Sequence, residues 1–281
     1  MIPQLRVPCT YQGGKQRIAA QIADILIHSA PDSNTPFYDL CCGSGAISVE
    51  LINRGVDPAR ITMLDSSSWG TFWSAIGTGT FNIQVFAELI ADIPDDKRQV
   101  KDYMTRLSKR SPDQYEAEIY PILQACSFGG KQLWWDGVAW KNAFFREYWQ
   151  PTATSVRRSP ANPMQPQPKE LERRIHEIAR HAIGVQAHRC DVSEILEKEV
   201  PDNAVIYVDP PYSGTTKYGF GFDVREFAKY LRTHTNASIF ISEGIPLNDN
   251  AIELTLGGAN GGISGRRVKK HREWLTPFQD S

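Results

Sequence analysis

The sequence has few cysteines, none of them in a CxxC pair, and very little net charge. Its five cysteines form no CxxC motif and are odd in number, which predicts a reduced compartment and no structural zinc. The formal net charge is −1 over 281 residues, so no global basic excess indicates a nucleic-acid partner. With 41% hydrophobic and 22% charged residues, the composition is that of an ordinary globular protein.

Long apolar runs are also missing. No stretch is long enough to span a membrane, and residues 1–10 carry one basic residue without an apolar run. We therefore expect neither a membrane anchor nor a signal peptide, and we expect a cytoplasmic location. No metal site is expected, because His181, His188 and Cys190 have no fourth ligand nearby in the sequence.

A short apolar stretch runs directly into a carboxylate, two prolines and a tyrosine. Residues 204–208 predict a strand buried on both faces, and Asp209, Pro210, Pro211 and Tyr212 follow it. The prolines lack amide hydrogens and fix φ, so the chain leaves the sheet stiffened and with free carbonyl groups. A carboxylate beside an aromatic ring suits a flat heterocycle that carries an amino group. The alternative is an ordinary exit from a strand into a turn.

Two glycine turns come earlier in the chain. Residues 11–15, Tyr-Gln-Gly-Gly-Lys, predict a tight loop before a helix, where anions bind well. Gln16 excludes a phosphate-binding P-loop, which needs Ser or Thr after the lysine. A strand over 36–40, the turn Gly43-Ser44-Gly45 and a helix over 46–52 follow. The glycines let a ligand approach the backbone at the carboxyl end of that strand.

Acidic residues follow two further predicted strands. The strand over 60–64 ends in Asp65, about 20 residues after the glycines, where a carboxylate can accept hydrogen bonds from both ribose hydroxyls. Residues 185–190 end in Asp191, which we expect to start a helix through Glu199. A strand, a glycine turn, a helix and a second strand with a terminal acid predict a site for a nucleoside cofactor. The missing third glycine argues against NAD and FAD.

The alternation of strands and helices is lost between residues 66 and 150, where six of the seven tryptophans lie. We expect most of these rings to form the core of a small helical insert. Aromatic rings beside cationic or amide side chains can also stack on bases or recognise them. We expect four polar residues of this aromatic stretch to bind DNA: Lys131, Lys141, Asn142 and Arg146.

Two more segments carry clustered positive charge. Residues 97–110 contain six basic residues, Lys101 among them, against one acid. Residues 151–168 contain five prolines and the pair Arg157-Arg158, which predicts an extended, semi-rigid strap. Such clusters can neutralise phosphates even on a neutral protein. A solvated helix face and a plain linker are the alternatives.

Together, three motifs resemble the signatures of the Dam-type adenine-specific DNA methyltransferases. They are Gly13-Gly14-Lys15, Gly43-Ser44-Gly45 and Asp209-Pro210-Pro211-Tyr212, in the family's order, and the resemblance covers nearly the whole chain. Segment 125–149 looks most like phage and prophage versions. The resemblance implies an α/β fold, a doubly wound, Rossmann-like methyltransferase sheet formed by residues 1–65 and 169–281. It also implies an inserted, mostly helical target-recognition domain over residues 66–168.

The family activity implied is transfer of the methyl group of S-adenosylmethionine to the exocyclic amine of adenine in double-stranded DNA, with base flipping. By position, Asp65 would hold the ribose, Asp191 would reach the cofactor adenine, and residues 209–212 would bind the target base. The other residues implied to bind the cofactor are Tyr11, Lys15, Asp39, Gly43, Gly45 and Asp209. Cys41 stands where the family usually has an aromatic residue.

Two other functions fit the same residues. An RNA adenine methyltransferase would share the fold, but we expect it to lack an aromatic insert of this size. A DNA-binding module with a decayed site is disfavoured because four carboxylates are intact: Asp39, Asp65, Asp191 and Asp209. An orphan enzyme and one that acts with a partner restriction nuclease need the same residues, so both fit the sequence.

Overall fold

A seven-stranded, mostly parallel sheet forms the centre of the molecule. The computed structural model describes residues 3–197, 199–210, 223–254 and 272–278, apart from the side chain of Leu196. In chain order the strands are β1 Phe37–Leu40, β2 Ile61–Leu64, β3 Trp134–Trp135, β4 Trp140–Lys141, β5 Gln186–His188, β6 Val205–Val208, β7 Ser238–Glu243, β8 Ile252–Leu254 and β9 Glu273–Phe278. The large sheet has the order β5-β2-β1-β6-β7-β9-β8, and β9 runs antiparallel to both neighbours.

Eight α-helices are present in the described part of the chain. They are α1 Ala19–His28, α2 Ala46–Asn53, α3 Ser68–Thr78, α4 Ile83–Ala91, α5 Val100–Leu107, α6 Glu116–Cys126, α7 Pro168–His181 and α8 Val224–Arg232. None of these described helices combines the length and the apolar character needed to cross a membrane. Together, the strands and helices confirm the α/β class and the mostly parallel sheet.

The sequence patterns explain the central elements. All four residues of β6 are buried, as expected for a β-branched strand inside a parallel sheet. In α7, the buried residues Leu171, Ile175 and Ile178 recur at helical spacing on one face. Pro168 occupies the first turn, where its missing amide hydrogen costs no hydrogen bond.

The chain changes direction across the sheet between β1 and β6. From β1 it continues to β2 and β5 on one side, and it then returns to β6 on the other side of β1. Strands β1 and β6 are parallel and in register, with Leu40 opposite Val208. Ligands of doubly wound sheets bind outside the carboxyl ends of the strands at such a switch point. The turn after β1 and the residues after β6 are therefore the expected binding edge.

Segment 66–168 packs closely against the sheet. Helix α3 lies beside β5, where a Cβ on Gly77 would stand 2.0 Å from the carbonyl oxygen of Val185. One continuous hydrophobic cluster contains Phe37 of β1 together with Trp73 of α3 and Tyr120 of α6. The segment holds four α-helices, a short 3₁₀ helix over Phe128–Gly130 and then the β3–β4 hairpin, with no further helix or strand in residues 142–167. Its division from the rest of the chain as a recognition domain stays a prediction.

Candidate functional site

Asp209 lies directly after β6 and makes an ion pair with Lys15. Its backbone N–H donates to the carbonyl of Leu40 at 3.1 Å, which joins the ends of β6 and β1. The Lys15 ammonium lies 2.5 Å from Oδ1 of Asp209, and the two side chains are only 7% and 18% exposed. Lys15 also donates to the carbonyl of Gly13 at 3.2 Å. The N-terminal glycine loop and the exit of β6 therefore meet at the switch point.

The Asp209 carboxylate titrates near neutral pH. Burial raises the pKa of Asp209, the Lys15 ammonium lowers it, and the nearby charges of Glu273 and Asp39 raise it, so that together they bring the pKa to about 7. Burial disfavours the charged form of a carboxyl, and an adjacent ammonium favours it. The ionisation of Asp209 near pH 7 is thus set mainly by its burial and by Lys15.

Glu273 is a site residue that the sequence did not indicate. It is buried at the start of β9, accepts a hydrogen bond from Ser242 Oγ at 2.9 Å, and lies 3.7 Å from the Lys15 ammonium. Strand β9 pairs antiparallel with β7 and so delivers its first residue to the carboxyl edge. The usable signal was an acid at the start of an apolar strand, Glu-Trp-Leu-Thr-Pro-Phe.

Asp65 holds the glycine turn after β1. Its Oδ2 accepts from the backbone N–H of Gly43 at 2.8 Å, and its Oδ1 accepts from the N–H and hydroxyl of Ser67 at 2.9 and 2.5 Å. Burial raises the pKa of Asp65, whereas the hydrogen bonds from Ser67 and Gly43 lower it. On the other side of the turn, Trp73 Nε1 donates to the carbonyl of Gly43 at 3.1 Å. Two predicted cofactor residues, Gly43 and Asp65, are therefore in direct contact.

The glycines of this turn have no room for a side chain. A Cβ on Gly43 would stand 2.9 Å from the Tyr11 ring, and one on Gly45 would stand 2.2 Å from Cζ2 of Trp73. Both glycines have positive φ, 50° and 72°. Tyr11 thus covers the turn, and its ring makes an edge contact with Trp69 at a centroid distance of 5.9 Å.

Asp39 is buried beneath the turn rather than at its surface. Its Oδ2 accepts from the N–H and hydroxyl of Ser48 at 3.2 and 2.6 Å, in the first turn of α2. Burial raises the pKa of Asp39 to about 6. The carboxylate therefore fixes the start of α2, and through it the position of Gly45.

Asp191 follows β5 and is exposed. Its Oδ1 accepts from the N–H and hydroxyl of Ser193 at 2.9 and 2.6 Å. The helix that we expected through Glu199 is a shorter 3₁₀ helix over Val192–Glu197, because the Asp191 and Ser193 contacts favour a tight turn. Pro210 is buried beside Asp209. Pro211 and Tyr212, predicted to contact the target base, lie outside the described residues.

Several cationic side chains predicted to bind DNA have partners within the protein. Lys101 pairs with Glu147, and Lys141 lies 2.9 Å from Oδ2 of Asp136. In the proline-rich segment, Arg157 donates to the carbonyls of Ser159 and Pro160, and Arg158 donates to that of Ala153. These local contacts hold the strap in shape. DNA binding by these residues stays a prediction.

The remaining predicted residues surround the hairpin. Asn142 has a φ of 54° and its Nδ2 donates to the carbonyl of Gln132 at 3.3 Å. Arg146 is half-buried, and burial lowers its pKa. The Lys131 side chain is exposed and makes no ion pair with any described residue.

The aromatic residues divide into a core and a surface group. Trp69, Trp73 and Trp140 are buried and serve packing, whereas Trp134 and Trp135 are part-buried and Trp149 is exposed. The expected packing role therefore holds for three of the six tryptophans in residues 66–150. Phe128 and Phe144 are exposed and contact each other edge to face at 5.6 Å.

Comparisons with known proteins add no assignment. No protein-family model matches the chain, and no curated protein matches its sequence. Within the described ranges, no group of three or more His, Cys, Asp or Glu residues is arranged to hold a metal ion.

Proposed function

We propose that the chain is an S-adenosylmethionine-dependent, adenine-specific DNA methyltransferase that modifies a base extruded from double-stranded DNA. The observation that carries the proposal is the position of Asp209. Its carboxylate lies at the switch point of the sheet, is held by Lys15 at 2.5 Å, and is next to the turn that Asp65 organises. This position supports a role for Asp209 as an acceptor for an amine, next to a turn that would bind a nucleoside.

The glycine turn fits the proposed cofactor. Gly43 and Gly45 leave the backbone bare, and Asp65 already orients the turn through Gly43. A carboxylate has about four acceptor positions. At Asp65, hydrogen bonds from Gly43 and Ser67 occupy three of them. One position is left for a ribose hydroxyl. Tyr11 and Asp191 would flank the bound molecule, which supplies an electrophilic methyl group on a sulfonium.

Asp209 would activate the target amine. The lone pair of an adenine amine is delocalised into its ring, so the amine is a weak nucleophile. Hydrogen bonds from the amine to Asp209 and to the carbonyl of Pro210 return electron density to the nitrogen and stabilise the positive charge that develops there. Lys15 favours the ionised carboxylate. Orientation and electrostatic stabilisation then account for the rate without a covalent intermediate.

Base flipping is part of the proposal. The Asp209 side chain is only 18% exposed, and a base stacked in a duplex does not reach a carboxylate enclosed in this way, so the target base would have to be extruded. We assign the stacking partner of the extruded base to Tyr212, on the strength of the motif. We place the enzyme in the cytoplasm of a bacterium or of a phage-infected cell.

Labelled methyl transfer tests this function. The wild-type protein is incubated with methyl-labelled S-adenosylmethionine and duplex DNA or RNA, and the products are digested to nucleosides. We expect label on the exocyclic amine of deoxyadenosine. Label only in RNA would favour the RNA methyltransferase, whereas DNA binding without transfer to either would favour a binding module.

A further inference from the structure

The β3–β4 hairpin is anchored to the sheet through one of its residues. The backbone N–H of Trp135 donates to Ser68 Oγ at 2.9 Å. The carbonyl of the same residue accepts a hydrogen bond from Arg189. Trp135 also pairs with Trp140 across the hairpin. Both main-chain polar groups of Trp135 are therefore bonded to residues outside the hairpin.

Arg189 contacts three elements at once. Its Nη1 donates to both carboxylate oxygens of Glu116, at 2.7 and 3.0 Å, and to Thr71 Oγ1 at 3.2 Å. Glu116 begins α6 and Thr71 belongs to α3, while Nη2 contacts the carbonyl of Trp135. The two charged side chains are 31% and 13% exposed. A planar guanidinium suits this multiple contact in a way that a lysine ammonium does not.

The two anchors of the hairpin stand next to the predicted cofactor carboxylates. Ser68 comes three residues after Asp65, and Arg189 comes two residues before Asp191. A Cβ on Gly70 would stand 2.3 Å from the Asp65 carbonyl and 2.6 Å from Cα of Arg189. Because α3 begins in direct contact with both backbones, Ser68 and Arg189 are held at fixed positions beside the cofactor edge.

We propose that Arg189 is a positioning residue that fixes the 134–141 hairpin against the cofactor edge and thereby sets the selectivity for the target sequence. The hairpin turn exposes Val138 and is flanked by Lys141 and Asn142, which suits contact with base edges. The inference rests on the proposed function where it assigns the hairpin to target selection.

Methylation of a pool of randomised duplexes tests the selectivity. In Arg189→Ala, the ratio of methylation of favoured sequences to methylation of average sequences is expected to fall by about tenfold. The affinity for S-adenosylmethionine is expected to stay within about threefold of wild type. Arg189→Lys keeps the positive charge but loses the planar guanidinium, so we expect a ratio between those of wild type and Arg189→Ala. Arg173→Ala is the matched control, because Arg173 makes a two-bond contact with Glu170 away from the site. An unchanged preference in a folded Arg189→Ala protein would overturn the inference.

Hydrogen exchange separates this inference from the proposed function. Amides of residues 134–141 are expected to exchange about tenfold faster in Arg189→Ala than in wild type or Arg173→Ala, with β1 unchanged. If the wild type methylates no nucleic acid, the proposed function fails, and exchange alone decides whether Arg189 positions the hairpin. Equal protection of residues 134–141 in all three proteins would show that it does not.

Discussion

The Lys15 ammonium and the Asp209 carboxylate lie 2.5 Å apart, although 194 residues separate them in the chain. The pair joins two motifs from opposite ends of the chain, the Gly-Gly-Lys loop and the Asp-Pro-Pro-Tyr exit of β6. It makes the ionisation of the proposed catalytic acceptor dependent on the first loop of the chain. Replacement of Lys15 therefore changes the charge balance at Asp209.

The rate of methyl transfer is expected to fall as the pH drops through about 7, the pKa to which burial raises Asp209. Protonation removes the negative charge that stabilises the developing positive charge on the amine. Single-turnover rates on a duplex substrate, measured from roughly pH 5.5 to 9, should show one ionisation on the acid side and a plateau above it.

Two variants check that this ionisation belongs to Asp209. The charged groups acting on it are Lys15, Glu273 and Asp39. Glu273→Gln removes a charge that raises the pKa of Asp209, so the acid limb should move to lower pH. Asp209→Asn should be slower and should lack that limb. A limb that persists in Asp209→Asn would assign the ionisation to another group.

Folding stability is expected to depend on the same carboxylate. The pKa of Asp209 is raised from 3.8 to about 7 in the folded protein. Its contribution is therefore fully present below the unfolded pKa and is lost as the pH rises through about 7. At about 1.4 kcal/mol per pKa unit, the loss is on the order of a few kcal/mol. Melting curves should show that the stability of Asp209→Asn relative to wild type rises between pH 5 and pH 8, by on the order of a few kcal/mol. No gain would mean that Lys15 compensates the buried charge fully.

Asp65→Ala is expected to weaken cofactor binding, since the ribose loses a charged acceptor worth roughly 1.5 to 3 kcal/mol. The substitution also frees Gly43 and Ser67, so the variant should melt earlier. Ser67→Ala is the matched control, because it loses a hydrogen bond to Asp65 and keeps the acceptor. Calorimetry should show weakened binding of S-adenosylmethionine in Asp65→Ala only. Equal affinities in both variants would remove Asp65 from the cofactor site.

Gly45→Ala is expected to destabilise the protein more than Gly79→Ala. The two glycines have nearly the same φ, 72° and 70°, so each alanine carries a left-handed cost of roughly 1 to 2 kcal/mol. A Cβ added to Gly45 would stand 2.2 Å from Trp73, so Gly45 lacks space. Nothing lies within 4 Å of a Cβ added to Gly79. In chemical denaturation, Gly45→Ala should lose about 1 to 3 kcal/mol more of its free energy of unfolding than Gly79→Ala. Equal losses would show that the turn can move away from Trp73.

Local pattern was sufficient to predict the parallel centre of the sheet, but not β9. Buried β-branched runs and terminal acids placed β1, β2 and β6, and helical spacing placed α7, because these signals depend on neighbours in sequence. The contacts of Lys15 with Asp209 and of Arg189 with Glu116 depend on loop paths and on α3 packing, which a single sequence does not encode locally. Glu273 was missed for the same reason, since antiparallel pairing with β7 brings it to the site.

The most direct test of the account is single-turnover methylation of duplex DNA by Asp209→Ala. The variant loses the acceptor whose hydrogen bond strengthens in the transition state, typically worth about 3 to 4 kcal/mol. We therefore predict a rate lower by roughly a hundredfold to a thousandfold, with Asp209→Asn between it and the wild type. Asp202→Ala, at the opposite end of β6, is the control and should retain the wild-type rate. Transfer by Asp209→Ala within a few-fold of wild type would contradict the assignment of Asp209 as the catalytic acceptor.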